Sequence, residues 1–343
     1  MKKVSTRIIV LLILALLAFA AVKVGLWLSD NKISNFEGTA ELFVYPETSV
    51  EEVITQIDTQ LVIKRHASLE RAFRNKQVAD YIQPGHYIVE DGATSVYVAR
   101  MLNNCWQTPV NLVLSGTLRR KSEIARKIAN QMMVDSASVM AAMTSQEFLS
   151  KYGFDTVDVF SLLMPDTYQM YWTATVEEIF DRQKEAYDDF WTEERLKKAK
   201  AQGLTRKEVS ILASIVKGET NYEPEMPKIA GVYLNRLHKG MKLQADPTIA
   251  FCYDYNVNRI YKRNLSYDSP YNTYKYAGLP PGPIYVPTKA CLEAVLNPEG
   301  SRNLYFCADP SFNGSHRFAA TYSEHLKNAR EFQRALNRRQ NAK

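Results

Sequence analysis

The chain has 343 residues, 46% of them hydrophobic and 23% charged, a globular composition with material for more than one domain, which excludes wholesale disorder. Lys and Arg number 43 against 37 Asp and Glu, a net charge of +6, spread along the chain instead of gathered into the basic stripe that duplex binding needs, so no nucleic-acid partner is expected. A mildly basic surface still suits an anionic membrane or an anionic polymer.

Ile8 to Ala21 is an unbroken run of apolar or small residues, and after Lys23 it continues through Val24 to Leu28. At helical rise that is long enough to cross the roughly 30 Å of hydrocarbon in a bilayer, with Lys23 snorkelling near the far end. Lys2, Lys3 and Arg7 precede the run, so the positive-inside rule puts the N-terminus in the cytoplasm and everything after Trp27 across the membrane. Ala18-Phe19-Ala20 has the small-x-small form of a signal-peptide cleavage site, but the length favours a retained anchor over residues 1–29. Residues 30–38 are polar and short, a tether to the first folded unit.

From Thr39 the pattern becomes strand, turn, helix. Ala40 to Tyr45 alternates as a β-strand, Pro46 breaks it, and Thr48 with Glu51 three residues on gives a capping box opening a helix that carries Val50, Val53, Ile54 and Ile57. Pro84-Gly85, a strand from Tyr87 to Val89, the Asp91-Gly92 turn and a helix carrying Val96, Val98, Ala99 and Leu102 repeat the arrangement. A third copy begins with a strand from Val110 to Leu114 and a helix carrying Ile124, Ile128 and Met132. This predicts a small α+β module. Further helices are expected over Gln146 to Tyr152 and in one long polar-faced segment from Val176 through Lys200, whose charge reads as a solvated face.

The stretch from Leu204 is the richest. Thr205 and Glu208 form a capping box, and Leu204 faces Val209 as a hydrophobic staple. Leu212, Ile215, Val216 and Glu219 then fall at i, i+3, i+4 and i+7, so the carboxylate of Glu219 extends an inward-facing stripe to the helix end. Gly218 beside it removes a side chain and lets another group approach closely. A second helix carries Ile229, Val232, Tyr233 and Leu237, and Gly240 stops it. A carboxyl group partly withdrawn from water holds its proton toward neutral pH, which suits a general acid; a glutamate that simply ends a helix and bonds the next loop has the same pattern.

Downstream, "LQADPT" gathers Gln244, Asp246 and Thr248, and "SPYNTYKYAGLPPGPI" gathers Tyr271, Asn272, Thr273 and Tyr274 before a proline-glycine turn. Amides, hydroxyls and tyrosine rings in such density suit carbohydrate, whose faces stack on rings and whose hydroxyl and N-acetyl groups accept forked hydrogen bonds. A turn-rich solvated loop has similar composition, but the crowding of tyrosines between Tyr253 and Tyr285 favours a ligand groove. His316, Glu324 and His325 lack the spacing that places two histidines on one helical face, and a capping or packing role is expected for them. The four cysteines, Cys105, Cys252, Cys291 and Cys307, show no CxxC pair or zinc spacing, so no metal and no cofactor are expected; disulfides among them or burial as small hydrophobes are both compatible with the spacing.

"LASIVKGET", "VYLNRLHKGMKLQADPT", "SPYNTYKYAGLPPGPI", "NPEGSRNLYFCAD" and "GSHRFAATYSEH" follow in order the motifs of the YceG/MltG family of membrane-anchored endolytic murein transglycosylases, which the chain resembles closely from Leu212 to His325 and more loosely from Thr39 to Met133. The resemblance implies an α+β fold with a single N-terminal transmembrane helix, a small LysM-like module over residues 39–112, a mixed α+β catalytic domain over 113–335 and a polar tail over 336–343. It implies cleavage of the bond between N-acetylmuramic acid and N-acetylglucosamine within peptidoglycan glycan strands, without water, leaving an anhydro end, with Glu219 as the acid and then the base. Gln244, Asp246, Thr248, Tyr271, Asn272, Thr273 and Tyr274 are the matching binding or supporting positions, Asp246 in a positioning role. It further implies partners in the cytoplasmic membrane and among peptidoglycan synthases. The chain departs from the family pattern at Lys217 and Gly218, where the family has an acid and a lysine, at Ala245, where it has serine, and at Val286 and Thr288, where it has asparagine and glycine. A cation at Lys217 would lower the pKa of Glu219 and oppose the effect of burial. Two other readings remain at this point: an exported glycan-binding scaffold in which Glu219 is structural, and a hydrolase using water and Asp246.

Overall fold

The computed structural model describes residues 2–341, with side chains from Arg7 onward. Lys2 and Lys3, which carry part of the orientation argument, and the last two residues of the polar tail therefore lie outside the described side chains. The fold is α+β and divides into two compact units, residues 1–111 with 169–174 and residues 112–168 with 175–343.

The first unit opens with α1 (Lys2–Asn31). Within it, Arg7–Asn31 is long and apolar enough to cross a membrane, with its apolar side chains facing outward. Its last turn is anchored: Asp30 is buried, takes bonds from Arg71 Nε (2.8 Å) and Ser68 Oγ (2.7 Å), and α1 packs on α3 and α5, described next. The stretch expected as a tether is packed as well, with Asn35 and Phe36 fully buried.

The elements that follow are β1 (Phe36–Glu37), β2 (Ala40–Val44), α2 (Val50–Asp58), β3 (Val62–Ile63), α3 (His66–Asn75), α4 (Val78–Tyr81), β4 (Gly85–Val89), α5 (Ser95–Asn103) and β5 (Val110–Val113). β2 and β4 pair antiparallel with Leu42 opposite Tyr87, both fully buried. The open edge of β2 is closed by two glutamines, Gln56 on α2 and Gln60 just past its end. Gln56 bonds both backbone groups of Phe43 (3.1 and 3.2 Å), and Gln60 does the same for Glu41 (3.0 and 2.8 Å). The strand is thereby shielded from pairing with another chain. The capping box of α2 lies one residue later than predicted: Ser49 caps and Glu52 reciprocates, while Thr48 Oγ1 accepts from Tyr45 N–H (2.8 Å) in the preceding turn. Both pairs fit the S/T-x-x-E pattern, and the turn decides between them.

The second unit contains α6 (Lys121–Ala129), α7 (Ser136–Thr144), α8 (Gln146–Ser150), α9 (Val159–Leu162), α10 (Val176–Phe190), α11 (Glu193–Ala201), α12 (Arg206–Glu219), α13 (Met226–His238), α14 (Asp246–Cys252), α15 (Lys289–Leu296), the hairpin β7 (Tyr305–Ala308) with β8 (His316–Ala319), and α16 (Tyr322–Asn341). The strand β6 (Thr167–Met170), between α9 and α10 in the chain, pairs with β5. The single polar helix expected from Val176 to Lys200 is two helices: Trp191 leaves the helical region, and Thr192 caps α11 by accepting from Arg195 N–H. Trp191 is itself buried, so its packing overrides the continuous polar pattern.

α12, α13 and α15 pack on one another and form the core that carries the site. α12 starts at the predicted capping box, Thr205 with Glu208. It is buried all round from Val209 to Val216 instead of along one stripe, because two small polar residues fill the remaining face. One of them, Ser214, donates to Ile211 O (2.7 Å) and accepts from Ile284 N–H (3.0 Å), which brings the proline-glycine turn down onto the helix.

Candidate active site

Glu219 is the last residue of α12, and Thr220 after it is extended. The side chain enters a cleft of about 320 Å³ lined by Glu219, Tyr233, Arg236, Leu243, Gln244, Asp246, Tyr274, Phe306 and His325. Six chain segments meet there: the end of α12, the inward face of α13, the loop into α14, the tyrosine-rich loop, β7 and α16.

The carboxyl group is half-buried. Tyr233 Oη donates to its Oε1 at 2.5 Å. Burial pushes the Glu219 pKa up to about 7; the Tyr233 hydrogen bond and the charge of Arg236 oppose this, and the nearby Asp246 adds to it. Lys217, the cation whose influence the sequence left open, turns away and donates to Asn221 Oδ1 at 2.7 Å. Burial therefore wins, and the cation that moderates it is Arg236.

Arg236 is fixed by four acceptors. Its Nε donates to Leu304 O (2.6 Å), and its Nη1 to Leu243 O (2.7 Å), Lys242 O (3.2 Å) and Gln244 Oε1 (3.3 Å), while the guanidinium lies over the Tyr305 ring. That clamp ties the Gln244 loop to β7. Gln244 itself sits at φ 52°, a left-handed conformation uncommon outside glycine.

The predicted residues divide into two sets. Glu219, Gln244, Asp246 and Tyr274 line the cleft, and Tyr274 Oη donates to Asp246 Oδ1 at 2.6 Å. Thr248, Asn272 and Thr273 lie behind it, buried. Thr273 Oγ1 accepts from Ala245 N–H (3.0 Å) and bonds Thr248 Oγ1 (2.9 Å), while Asn272 closes its own loop by donating to Leu265 O and Tyr267 O. These three hold the wall in place and cannot reach a ligand. Tyr271 packs on Phe251 with ring centroids 4.5 Å apart and is not part of the cleft lining.

Tyr233, Arg236, Phe306 and His325 are cleft residues that pattern reading placed elsewhere or passed over. Tyr233 reads as one more apolar position of α13, and only its Oη, 14 residues from Glu219 in the chain, reveals the other use. His325, expected to cap or pack, does stack on Tyr305 with centroids 5.4 Å apart. It also borders the cleft, and its Nδ1 is buried without a partner among the described residues. Burial and then Arg236 lower its pKa, so the ring is neutral at neutral pH. His316 lies outside the cleft and bonds Glu225. No group of three or more His, Cys, Asp or Glu able to hold a metal ion occurs among the described residues.

The departures from the family pattern have local reasons. A Cβ on Gly218 would stand 2.5 Å from Pro247 Cβ and 3.0 Å from the Tyr285 ring, so the α12–α14 approach requires glycine there. Val286 is buried and its N–H bonds Leu118 O (2.8 Å), and Thr288 caps α15. All four cysteines are free, and Cys291 is fully buried against Met226.

A model of the YceG-like family matches residues 42–331. Among curated proteins, one named endolytic murein transglycosylase from Bacillus subtilis (strain 168) is 34% identical over 224 residues, 60% of this chain and 61% of that protein. Another of the same name from Streptococcus pneumoniae serotype 2 is 32% identical over 174 residues, 49% of this chain and 31% of that protein. The chain thus spans about three fifths of the first relative's length and under a third of the second's. Among solved structures, the crystal structure of a putative YceG-like protein from Listeria monocytogenes is similar with a TM-score of 0.57 at 26% identity, covering 84% of this chain and 98% of that one. With the family model matched over most of its length, this chain belongs to the YceG-like family.

Proposed function

We propose that the protein is an endolytic peptidoglycan lytic transglycosylase, held in the cytoplasmic membrane by α1 with its N-terminus in the cytoplasm and its folded part outside. Its substrate is the bond between N-acetylmuramic acid and N-acetylglucosamine within glycan strands. In this reading residues 39–112 form a LysM-like module that holds glycan, 113–335 carry the chemistry, and the enzyme works beside peptidoglycan synthases. The names of the curated relatives support the activity, and the apolar helix over Arg7–Asn31 is consistent with the anchor.

The observation that carries the mechanism is the state of Glu219. With its pKa pushed up to about 7, the group is close to half protonated at neutral pH, which suits a residue that must first give a proton and then take one. Glu219 protonates the glycosidic oxygen as the bond to the muramyl anomeric carbon breaks. The resulting carboxylate accepts the proton of the muramyl 6-hydroxyl while that oxygen attacks the anomeric carbon. Ordinary glycosidases need two carboxyl groups because water or an enzyme nucleophile must be supplied; an internal hydroxyl removes that need. Asp246, held by Tyr274, then serves to position substrate and to keep the charge of Glu219 unfavourable.

The test is incubation of the full-length chain in detergent with purified sacculi, followed by mass spectrometry of the products. Wild type is expected to give anhydro ends, and Glu219→Gln to lose about 10²–10⁴ of the rate while keeping its circular dichroism and its pelleting with sacculi. Products one water heavier would identify a hydrolase instead, and undiminished cleavage by Glu219→Gln would leave a scaffold with a structural glutamate.

A further inference from the structure

The two oxygens of Glu219 are not equivalent. Oε1 receives the Tyr233 hydroxyl, and Oε2 has no hydrogen-bond partner among the described residues. Tyr233 cannot move aside easily. It is 2% exposed, sits mid-helix on α13, and its ring meets Phe306 edge-on with centroids 5.8 Å apart. Its hydroxyl proton is also firmly held, because burial and then the neighbouring Glu219 charge raise its pKa well above the usual phenol range. Tyr233 is thus a donor at Oε1 whatever the state of the acid.

The geometry points to Tyr233 as a positioning residue that reserves Oε1 of Glu219 and leaves Oε2 as the single oxygen that gives and takes the proton. A carboxyl group that accepts a hydrogen bond at one oxygen favours carrying its own proton on the other, because the unprotonated carbonyl oxygen is the better acceptor. The inference rests on the proposed reading of Glu219 as acid and then base. In the first step the electron pair of the breaking C1–O bond goes to the leaving oxygen, which takes the proton from Oε2. In the second, the 6-hydroxyl oxygen forms the new bond to C1 and its proton returns to Oε2, so atoms and charge balance with no further reactant. Tyr233 donates throughout and stabilises the carboxylate between the steps.

The groups that face Glu219 are Tyr233 and Arg236 from α13, Asp246 from α14, Tyr274 from the tyrosine-rich loop and His325 from α16. Lys217 on its own helix is bonded to Asn221. Of these, Tyr233 alone contacts the carboxyl group directly among the described residues. Its removal should therefore act on Glu219 more than any other single change.

The experiment follows the Glu219 carboxyl group directly, by infrared difference titration of the full-length chain in detergent against Glu219→Gln, together with the pH profile of kcat on sacculi. Tyr233→Phe, which keeps the ring against Phe306, should raise the Glu219 titration by about one to two pH units. It should move the alkaline limb of the profile up by the same amount and lower kcat at the optimum by at least about tenfold. Replacing Tyr233 with 3-fluorotyrosine, whose hydroxyl is a stronger donor, should move titration and limb downward and decides the matter if Tyr233→Phe fails to fold. A titration unmoved by either substitution overturns the inference, since a merely structural tyrosine would leave it in place. If the titration moves as expected while Glu219→Gln stays fully active, the positioning stands and the proposed catalytic reading falls.

Discussion

Glu219 and Glu225 stand six residues apart on either side of one turn, and they are used in opposite ways. Glu225 is almost fully buried with both oxygens engaged: Oε1 accepts from the His316 backbone N–H (3.0 Å), and Oε2 from His316 Nδ1 (2.9 Å), in the tautomer that a carboxylate partner selects. It pins the segment after the site to the β7–β8 hairpin, whose Phe306 lines the cleft and stands edge-on to His316. Glu219 is less buried but engaged at one oxygen only, with no cation in contact. A carboxylate whose acceptors are filled is a fastening, and one left half-filled in a cleft keeps a proton to trade.

The largest effect that would sharpen this contrast is expected from Glu225→Ala. It strands a part-buried backbone N–H and a ring N–H, and should cost about 2–4 kcal/mol in urea unfolding. A loss under about 0.5 kcal/mol would break the comparison.

Glu219→Gln should act in the other direction, and only at higher pH. The folded pKa of about 7 lies above the ordinary glutamate value of 4.5, so below pH 4.5 both states are protonated and the group leaves stability unchanged. As the pH rises from 4.5 through 7 the unfolded chain ionises first, and the wild type loses up to about 3 kcal/mol. The glutamine variant should therefore be the more stable protein at pH 8 and no more stable at pH 4. Equal stability at both pH values would mean that Glu219 is not withheld from water.

Gly218→Ala comes next, at about 1–3 kcal/mol of destabilisation from overpacking against Pro247. Because Pro247 follows Asp246, the same change should displace the Asp246 wall and lower activity beyond what the stability loss explains, which a comparison of unfolding midpoint with turnover would show. The smallest effect is expected from Lys217→Ala. Its amine is spent on exposed Asn221, so stability should stay within about 0.5 kcal/mol and the alkaline limb of the activity profile should not move. A shifted limb would mean that Lys217, not Arg236, is the cation acting on Glu219.

Local signals in the sequence carried far. The Thr205–Glu208 box, the stop at Gly240 and the inward aim of Glu219 each follow from a few neighbouring residues, and the structure has the box, a left-handed Gly240, and Glu219 in a cleft. What stayed hidden was set by contacts between distant segments. Thr48 and Ser49 both offer a cap three residues before a glutamate, and only the turn that uses Thr48 selects the later one. Thr248, Asn272 and Thr273 have the chemistry of sugar ligands but spend it on each other and on backbone. Tyr233 and Arg236 looked like ordinary positions of an amphipathic helix, because a hydroxyl or guanidinium turned inward has no periodic signature. Gly218 reads as room for a close approach, and only the fold shows that a proline ring takes it.

The position of Glu219 at the very end of a 14-residue helix adds a bias that owes nothing to dryness. The unpaired carbonyls of the final turn gather the negative pole of the peptide array, about half an elementary charge, within a few ångströms of the carboxyl group. Even when water fills the cleft, that pole persists and favours the protonated form of Glu219.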